Sequence, residues 1–342
     1  MNEPLQLEWI STEILLRRPK DYLSHVLGIV HYGPNEVHRG LRELDIPISF
    51  VNVPVLGHGD GICELWWSQQ KVRTASHGPI SWRANESLLF LTVEIGNAEQ
   101  CLQDATRDAY CALLAEINAL GYPHLLRVWN HIGDINDDST GLERYRQFNM
   151  GRQEAFMASN WSVINVAPPA ASALGAQRNT PLALFALASH HAPLAIENPR
   201  QISAYDYPQN YGPCPPTFSR ASLIDLDGPT LFISGTASIV GHQSMHPDNC
   251  REQIRETLRN IEALLGEVRC SHGVDWELAN LQFKAYLRNG ADLWMFREEM
   301  DQIVGKEVNC LIIQADICRR DLLVEIEAVA LPCTSTLEQR YR

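Results

Sequence analysis

This sequence predicts an α+β fold, with sheets covered by helices on one face. Three observations carry the prediction. Apolar strand-like runs and amphipathic helices follow one another in a fixed order, β-β-α-β-α-β. That order occurs twice, over roughly 110 residues each time. The 342 residues are also too many for one ordinary core, so two or three units of roughly 100 to 150 residues each are expected.

In chain order, residues 1–80 hold a short helical start, a turn at Gly33 and Pro34, and apolar runs at 48–56 and 62–67. Between those runs, GHGDG at 57–61 lacks the spacing of a dinucleotide fingerprint and no helix pattern follows, so it reads as a glycine-rich hairpin loop. Residues 81–200 form a central unit with strands at 87–95, 125–132 and 181–188. Its first helix begins at Asn97, capped with Gln100, and places Leu102, Ala105, Ala109, Leu113 and Ile117 on one stripe. Its second helix carries Leu142, Tyr145, Phe148 and Arg152. After a Pro- and Tyr-rich connector, AYDYPQNYGPCPP at 204–216, the order returns in residues 201–342. There a hairpin turns at Gly228 and Pro229, Asn249 with Glu252 caps a helix striped by Ile254, Leu258, Ile261 and Leu265, and strands run at 280–290, 308–316 and 322–330. The N-terminal segment reads as a shortened third copy.

Composition excludes several classes of function. The chain is 45% hydrophobic and 20% charged, ordinary for a globular protein. Its net charge of -13, with no lysine or arginine block, argues against a nucleic-acid partner, and an anionic substrate would need a local arginine cluster. No window approaches the ~18 apolar residues that span a bilayer, and the N-terminus lacks a secretory pattern, so a cytoplasmic protein without a membrane partner is expected. Nine cysteines with no CxxC pair fit reduced thiols. His242 and His246 have HxxxH spacing but lie beside Gly241 and Pro247 with no third ligand evident, so no metal and no cofactor is expected.

The candidate site centres on residues 317–330, ICRRDLLVEIEAVA, where an apolar strand carries Glu325 and Glu327 on one face. Either both lie on a solvated face, or one is held neutral in a partly dry cleft as a proton donor. Comparison between the copies bears on this. Registering PLALFALA on LVEIEAVA sets Ala183 opposite Glu325 and Phe185 opposite Glu327, and Ala176 falls opposite Cys318. The central copy keeps the pattern without acid or thiol, which makes Glu325 a better site candidate. Cys318 reads equally as an ordinary buried thiol.

PPTFSRA (215–221), TLFISGTAS (230–238) and LLVEIEAVA (322–330) resemble the RidA/YjgF family of trimeric proteins. That family's deaminases carry an arginine on the strand before the glutamate, and residues 309–311 have none. The whole chain, through AYDYPQNYGPCPPTFSRAS, FISGTASIVGH, RVWNHIGDIN, ERYRQFNMGRQEAF and ICRRDLLVEIEAVA, resembles the chorismatases. The resemblance implies three RidA/YjgF-like units in pseudo-threefold arrangement within a monomer, and a site between the central and C-terminal units. It implies chorismate as substrate and Glu325 as the acid that protonates the enolpyruvyl methylene. Hydrolytic members release pyruvate and a dihydroxycyclohexadiene carboxylate; others form 3-hydroxybenzoate, or a mixture of 3- and 4-hydroxybenzoate, and these carry a cysteine where Cys318 stands. A non-catalytic RidA-like binder of a small anion is the alternative from another class.

Chorismate bears two carboxylates, which call for arginines. Arg220, after the Phe-Ser of PPTFSRA, is the first choice and Arg152, on the central helix, the second; either could be a surface residue. Tyr207 and Tyr211 border the connector and could bond a carboxylate or the ring hydroxyl, or simply pack its turns. Arg144, Arg146, Arg288 and Arg297 read as exposed helix or strand residues. Glu327 reads as a structural or supporting group, since a second ionised carboxylate in the cleft would repel the substrate.

Overall fold

The computed structural model describes residues 5–33, 39–59, 61–95, 101–159, 168–306 and 308–332. The first sheet contains β1 (Gln6–Ser11), β2 (Val26–Tyr32), β3 (Ile48–Val51) and β4 (Ile62–Trp67), in the order β1-β4-β2-β3. Three short helices, α1 (Thr12–Leu16), α2 (Lys20–Leu23) and α3 (Arg39–Arg42), accompany it. The second sheet contains β5 (Arg73–His77), β6 (Ile80–Ala84), β7 (Leu88–Ile95), β8 (His124–Gly133), β9 (Ala170–Ala176) and β10 (Leu182–Ser189), in the order β5-β6-β7-β10-β8-β9, with α4 (Leu102–Ala119) and α5 (Arg144–Ala158).

The third sheet repeats the second strand for strand. It begins with β11 (Leu194–Ile196), β12 (Ala221–Asp225) and β13 (Pro229–Ala237); a small hairpin, β14 (Ile239–Val240) and β15 (Gln243–Ser244), follows. Then come α6 (Cys250–His272), β16 (Gln282–Leu287), α7 (Leu293–Ile303), β17 (Cys310–Gln314) and β18 (Val324–Ala330), giving the order β11-β12-β13-β18-β16-β17. In both large sheets every pairing is antiparallel except the last, β8 with β9 and β16 with β17. The first sheet has the same order and pairing senses without the two leading edge strands.

The predicted boundary at residue 80 falls inside the β5–β6 hairpin, because both strands pair into the second sheet. Likewise β11 pairs with β12, ahead of residue 201. The GHGDG segment is not a hairpin loop. β3 runs parallel to β2 while β4 lies on the other side of β2, so the segment is part of a crossover. Its approach docks on the third sheet, where Leu56 N donates to Ile312 O at 2.8 Å and Val55 bridges Ile313. Asn97 and Gln100, expected to cap α4, Pro34 of the first turn, Asp60 of GHGDG and Cys333 lie outside the described residues. Asn249 caps α6 as expected, its side chain accepting from Glu252 N at 3.2 Å.

Each central strand is buried on both faces. On β18, Val324, Ile326, Ala328 and Ala330 face α6, where they meet Ile254, Leu258 and Ile261. Each such side chain contributes about 1.5–3 kcal/mol by leaving water. The opposite face of all three sheets turns toward one shared core, in which Trp66, Phe90, Trp129, Phe185, Phe232 and Tyr286 meet. The first and second sheets approach so closely that a side chain at Gly28 would overlap the Phe90 ring, and Asn52 Nδ2 donates to Gln177 Oε1 at 2.9 Å across the same seam. Between the second and third sheets, Ala170 bridges Ser219 and Leu174 bridges Ile317. Glu325 and Glu327 point into this interior and are 4% and 5% exposed, so the solvated-face reading of the strand is wrong.

Candidate active site

A cavity of about 780 Å³ opens at the seam between the second and third sheets. One wall is the 138–146 segment leading into α5, another the 201–220 connector, and the floor comes from β13, the 318–321 loop and β18. A β-bulge shapes that floor. The pairing of β13 with β18 shifts between Ile233 and Thr236, and Ser234 and Gly235 are carried by β9 instead: Ala171 N donates to Ser234 Oγ at 2.9 Å and Gly235 N to Ser172 Oγ at 3.0 Å. Glycine is required at 235 because a Cβ there would fall within the contact radius of Glu325 Oε1.

Burial raises the Glu325 carboxyl to about 8, with the Glu327 charge adding to the effect and Arg127 opposing it. Its neighbour has the opposite character. Burial would raise Glu327 too, but Lys284 and Arg127 outweigh it and hold the group at about 2. Arg127 Nη2 donates to Glu327 Oε2 at 2.7 Å, Trp129 Nε1 to Oε1 at 2.7 Å and Ser172 Oγ to Oε2 at 2.7 Å, while Lys284 Nζ lies 2.9 Å from Oε1. One strand face thus presents a neutral acid at the cavity and an anion behind it.

Cys318 Sγ donates toward Glu325 Oε2 at 4.0 Å, and burial, reinforced by the Glu325 charge, pushes the thiol up to about 12. It is a thiol at neutral pH, able to fill space or relay a proton but not to act as a thiolate nucleophile. Arg288 fixes the loop that carries it, donating to the carbonyls of Leu322, Ile317 and Arg319. That half-buried clamp corrects the reading of Arg288 as an exposed strand arginine.

Glu325, Cys318, Arg220, Tyr207 and Tyr211 all line this one cavity. Arg220 is 5% exposed; its Nη2 donates to Ile202 O at 2.7 Å and Tyr207 Oη at 2.9 Å, and its Nε has no partner. Arg152 does not line the cavity. It lies 2% exposed between α5 and its sheet, donating to Asn149 Oδ1 at 3.0 Å with its guanidinium over the Phe148 ring, because α5 turns that face inward onto α4 and β8. Tyr145 lines the cavity from the same helix.

Arg319 and Arg146, which the sequence reading did not select, also face the cavity. Arg319 stacks at 4.1 Å from the Tyr211 ring centroid and 5.2 Å from that of Tyr207, and donates to His242 O and Ser244 Oγ. The available signal was its place next to Cys318 in ICRRD. Arg146 is paired with Glu143 at 3.3 Å and Arg320 with Asp138 at 3.0 Å. Among the described residues, neither Arg220 nor Arg319 forms an ion pair with a carboxylate. Arg220 does have the half-buried Glu197 carboxyl in its field, but two guanidiniums outside any salt bridge, beside a neutral acid, make a receptor for a dianion with a protonatable group.

Comparison with known proteins gives the family. The family model "Chorismatase FkbO/Hyg5-like, N-terminal" matches residues 64–188. A chorismatase of Streptomyces rapamycinicus is 33% identical over 337 residues, covering 96% of this chain and 99% of the relative. The chain belongs to the chorismatase family. A 3-hydroxybenzoate synthase of Streptomyces hygroscopicus is 32% identical over 325 residues, 90% of this chain and 92% of the relative. A solved chorismatase structure superposes with a TM-score of 0.84 at 29% identity, covering 96% of this chain and 99% of that one. No helix among the described residues of this chorismatase-family chain is long and apolar enough to cross a membrane.

Proposed function

We propose that the protein converts chorismate to a hydroxybenzoate and pyruvate. One observation carries the reading: Glu325, held neutral near pH 7, stands in a cavity with two arginines that form no salt bridge among the described residues. The family relationship supports chorismate as the molecule that fits. Arg220 and Arg319 would each receive a carboxylate, with Tyr207 and Tyr211 fixing their guanidinium planes. Glu325 gives its proton to the terminal methylene carbon, the C=C electron pair forms the new C–H bond, and an oxocarbenium ion results.

Two courses are open to that ion. Attack by water at its carbon releases pyruvate and leaves a diol on a non-aromatic ring, consuming one water. With water kept out, the ring hydroxyl attacks the neighbouring ring carbon, the bond from that carbon to the ether oxygen breaks to release pyruvate, and the hydroxyl proton returns to Glu325. The epoxide left behind is an isomer of hydroxybenzoate and aromatises by ring opening and a proton shift, so water is neither consumed nor released. Cys318 and Tyr145 crowd the acid on the cavity side, which favours the aromatic course. We read the three sheets as RidA/YjgF-like units in pseudo-threefold arrangement, which their common strand order supports, and the protein as monomeric, cytoplasmic and free of cofactor.

The purified protein is incubated with chorismate, pyruvate is measured and the ring product is separated by chromatography. Pyruvate with hydroxybenzoate is the expected result, and a diol would move the reading to the hydrolytic course. No pyruvate, with or without added metal, leaves only a binder of small anions. Cys318→Ala should retain pyruvate release while changing the ratio of aromatic products or yielding the diol. An unchanged product profile removes Cys318 from the reaction.

A further inference from the structure

The shared core holds a row of charges that the cavity does not require. Lys284 Nζ, on β16, lies 2.6 Å from Glu64 Oε2 on β4 and 2.9 Å from Glu327 Oε1 on β18. Arg127, on β8, completes the row at 2.7 Å from Glu327. Glu64, Lys284, Glu327 and Arg127 therefore alternate in sign across all three sheets, and none is more than 5% exposed. Trp66 Nε1 at 3.0 Å, Tyr32 Oη at 3.2 Å and Trp9 Nε1 at 3.4 Å also donate to Glu64, so its carboxylate has one place to stand. Buried ion networks are poor stabilisers, since apolar residues of similar volume serve a fold as well. The position of this one points to another use: its third member is two residues from Glu325 on the same strand face.

We infer that Glu64 is a positioning residue for the proton on Glu325: through Lys284 it balances the charges around Glu327, and that balance sets whether Glu325 keeps its proton. A sheet that contributes no residue to the cavity lining would thus act on the chemistry. The inference deepens the chorismate reading, and only its kinetic test rests on that reading. Charged and titratable groups face Glu325 from its own strand (Glu327), from β8 (Arg127), from β16 (Tyr286), from the loop before β18 (Cys318), from α5 (Tyr145) and, across the cavity, from the connector (Arg220) and the 318–321 loop (Arg319). β13 meets it with Gly235 and Ala237, which carry no charge. Without the Glu64 charge, Lys284 has one carboxylate to balance it in place of two, and the surplus positive charge favours the Glu325 anion.

The test uses the full chain with Glu64→Gln, Lys284→Met and the double variant, which removes the pair as a unit. Protonation of Glu325 is followed against pH by the infrared band of its carboxylic acid, assigned as the band lost in Glu325→Gln. Glu64→Gln should move the midpoint down by about one pH unit, and the alkaline limb of kcat with it, leaving KM for chorismate within about twofold. Lys284→Met should move it up, and the double variant should return it toward the parent value. A purely structural role would make the double variant the most disturbed of the three. An unmoved midpoint in folded Glu64→Gln, or the same shift in the double variant, overturns the inference. If one single variant fails to fold, the other still decides, because the expected shifts differ in sign. The infrared titration needs no substrate, so variants that show these shifts while the parent protein releases no pyruvate sink the chorismate reading alone.

Discussion

Glu325 and Glu327 stand two residues apart on one buried face of β18, and the protein holds them in opposite protonation states. The difference lies in their partners. Glu327 has Lys284, Arg127, Trp129 and Ser172 around it, whereas Glu325 has a thiol, a glycine and the cavity. Each ionisation raises the cost of the other, so the anion fixed at Glu327 keeps the proton on Glu325.

Removing that proton should remove the activity. Glu325→Gln is expected to lower kcat for pyruvate release on the order of 10³-fold while the circular dichroism spectrum stays unchanged. In the parent protein kcat should fall as pH rises through about 8, because the donor is then ionised. A kcat that instead rises across this range would rule out Glu325 as the acid.

The two carboxyls also predict stability slopes of opposite sign. Between the ordinary value of 4.5 and about 8, folded Glu325 keeps a proton that the unfolded chain has released, so stability falls as pH rises through that window. Between 4.5 and about 2, folded Glu327 lacks a proton that the unfolded chain has taken up, so stability falls as pH drops. Thermal unfolding measured against pH should show both limbs, and Glu325→Gln should flatten only the upper one.

The arginines divide by position. Arg220→Ala and Arg319→Ala should each raise KM for chorismate on the order of 10- to 100-fold, the cost of leaving a substrate carboxylate without its charged partner. Arg152→Ala should act mainly on the fold, lowering stability by about 1–3 kcal/mol through the loss of its buried bond to Asn149. Saturation kinetics and melting curves on the three variants separate the roles.

Gly235→Ala is a probe of the bulge. Its methyl group must displace either the Glu325 carboxyl or β13, so about 100-fold should be lost from kcat. The overpacking should cost about 1–3 kcal/mol in denaturant unfolding. Activity close to that of the parent would mean that the carboxyl does not work from the place where it now sits.

Much of this architecture could be read from residues, because hydrophobic period and caps report local structure directly. The Asn249 cap stands as expected, and the hairpin stands with its turn at 226–228 and Pro229 already in β13; the duplicated order stands too, with additional strands at β5, β6 and β9. Glu325, Cys318, Arg220, Tyr207 and Tyr211 converge on one cavity because the connector and the last strand both meet the seam. What escaped depends on distance along the chain. Glu64 and Lys284 are 220 residues apart, and Arg127 and Glu327 are 200 apart, so no window of sequence holds either pair. Arg152 was misplaced for a similar reason: its helix was found, but which arginine on it turns inward depends on packing against α4. The crossover between β3 and β4 does not follow from sequence because glycine marks a tight bend without telling which strand the chain joins next.

Three seams join the sheets, marked by Asn52–Gln177, by Ala170–Ser219 with Leu174–Ile317, and by Val55–Ile313. An assembly of identical subunits must repeat every substitution at each of its clefts, so a residue useful in one is imposed on all. A single polypeptide is released from that repetition. Two acids can be introduced at one seam while Phe185 and Leu187 fill the matching places elsewhere, and drift at one junction leaves the others untouched. The places match because Phe185 and Leu187 pair with Trp129 and Arg127 as Glu325 and Glu327 pair with Tyr286 and Lys284, a register two residues on from the Ala183 and Phe185 expected from sequence. Linking the sheets in one chain thereby turns a constraint of copy number into a freedom to specialise, and new product outcomes can be explored at a single cleft without weakening the other two.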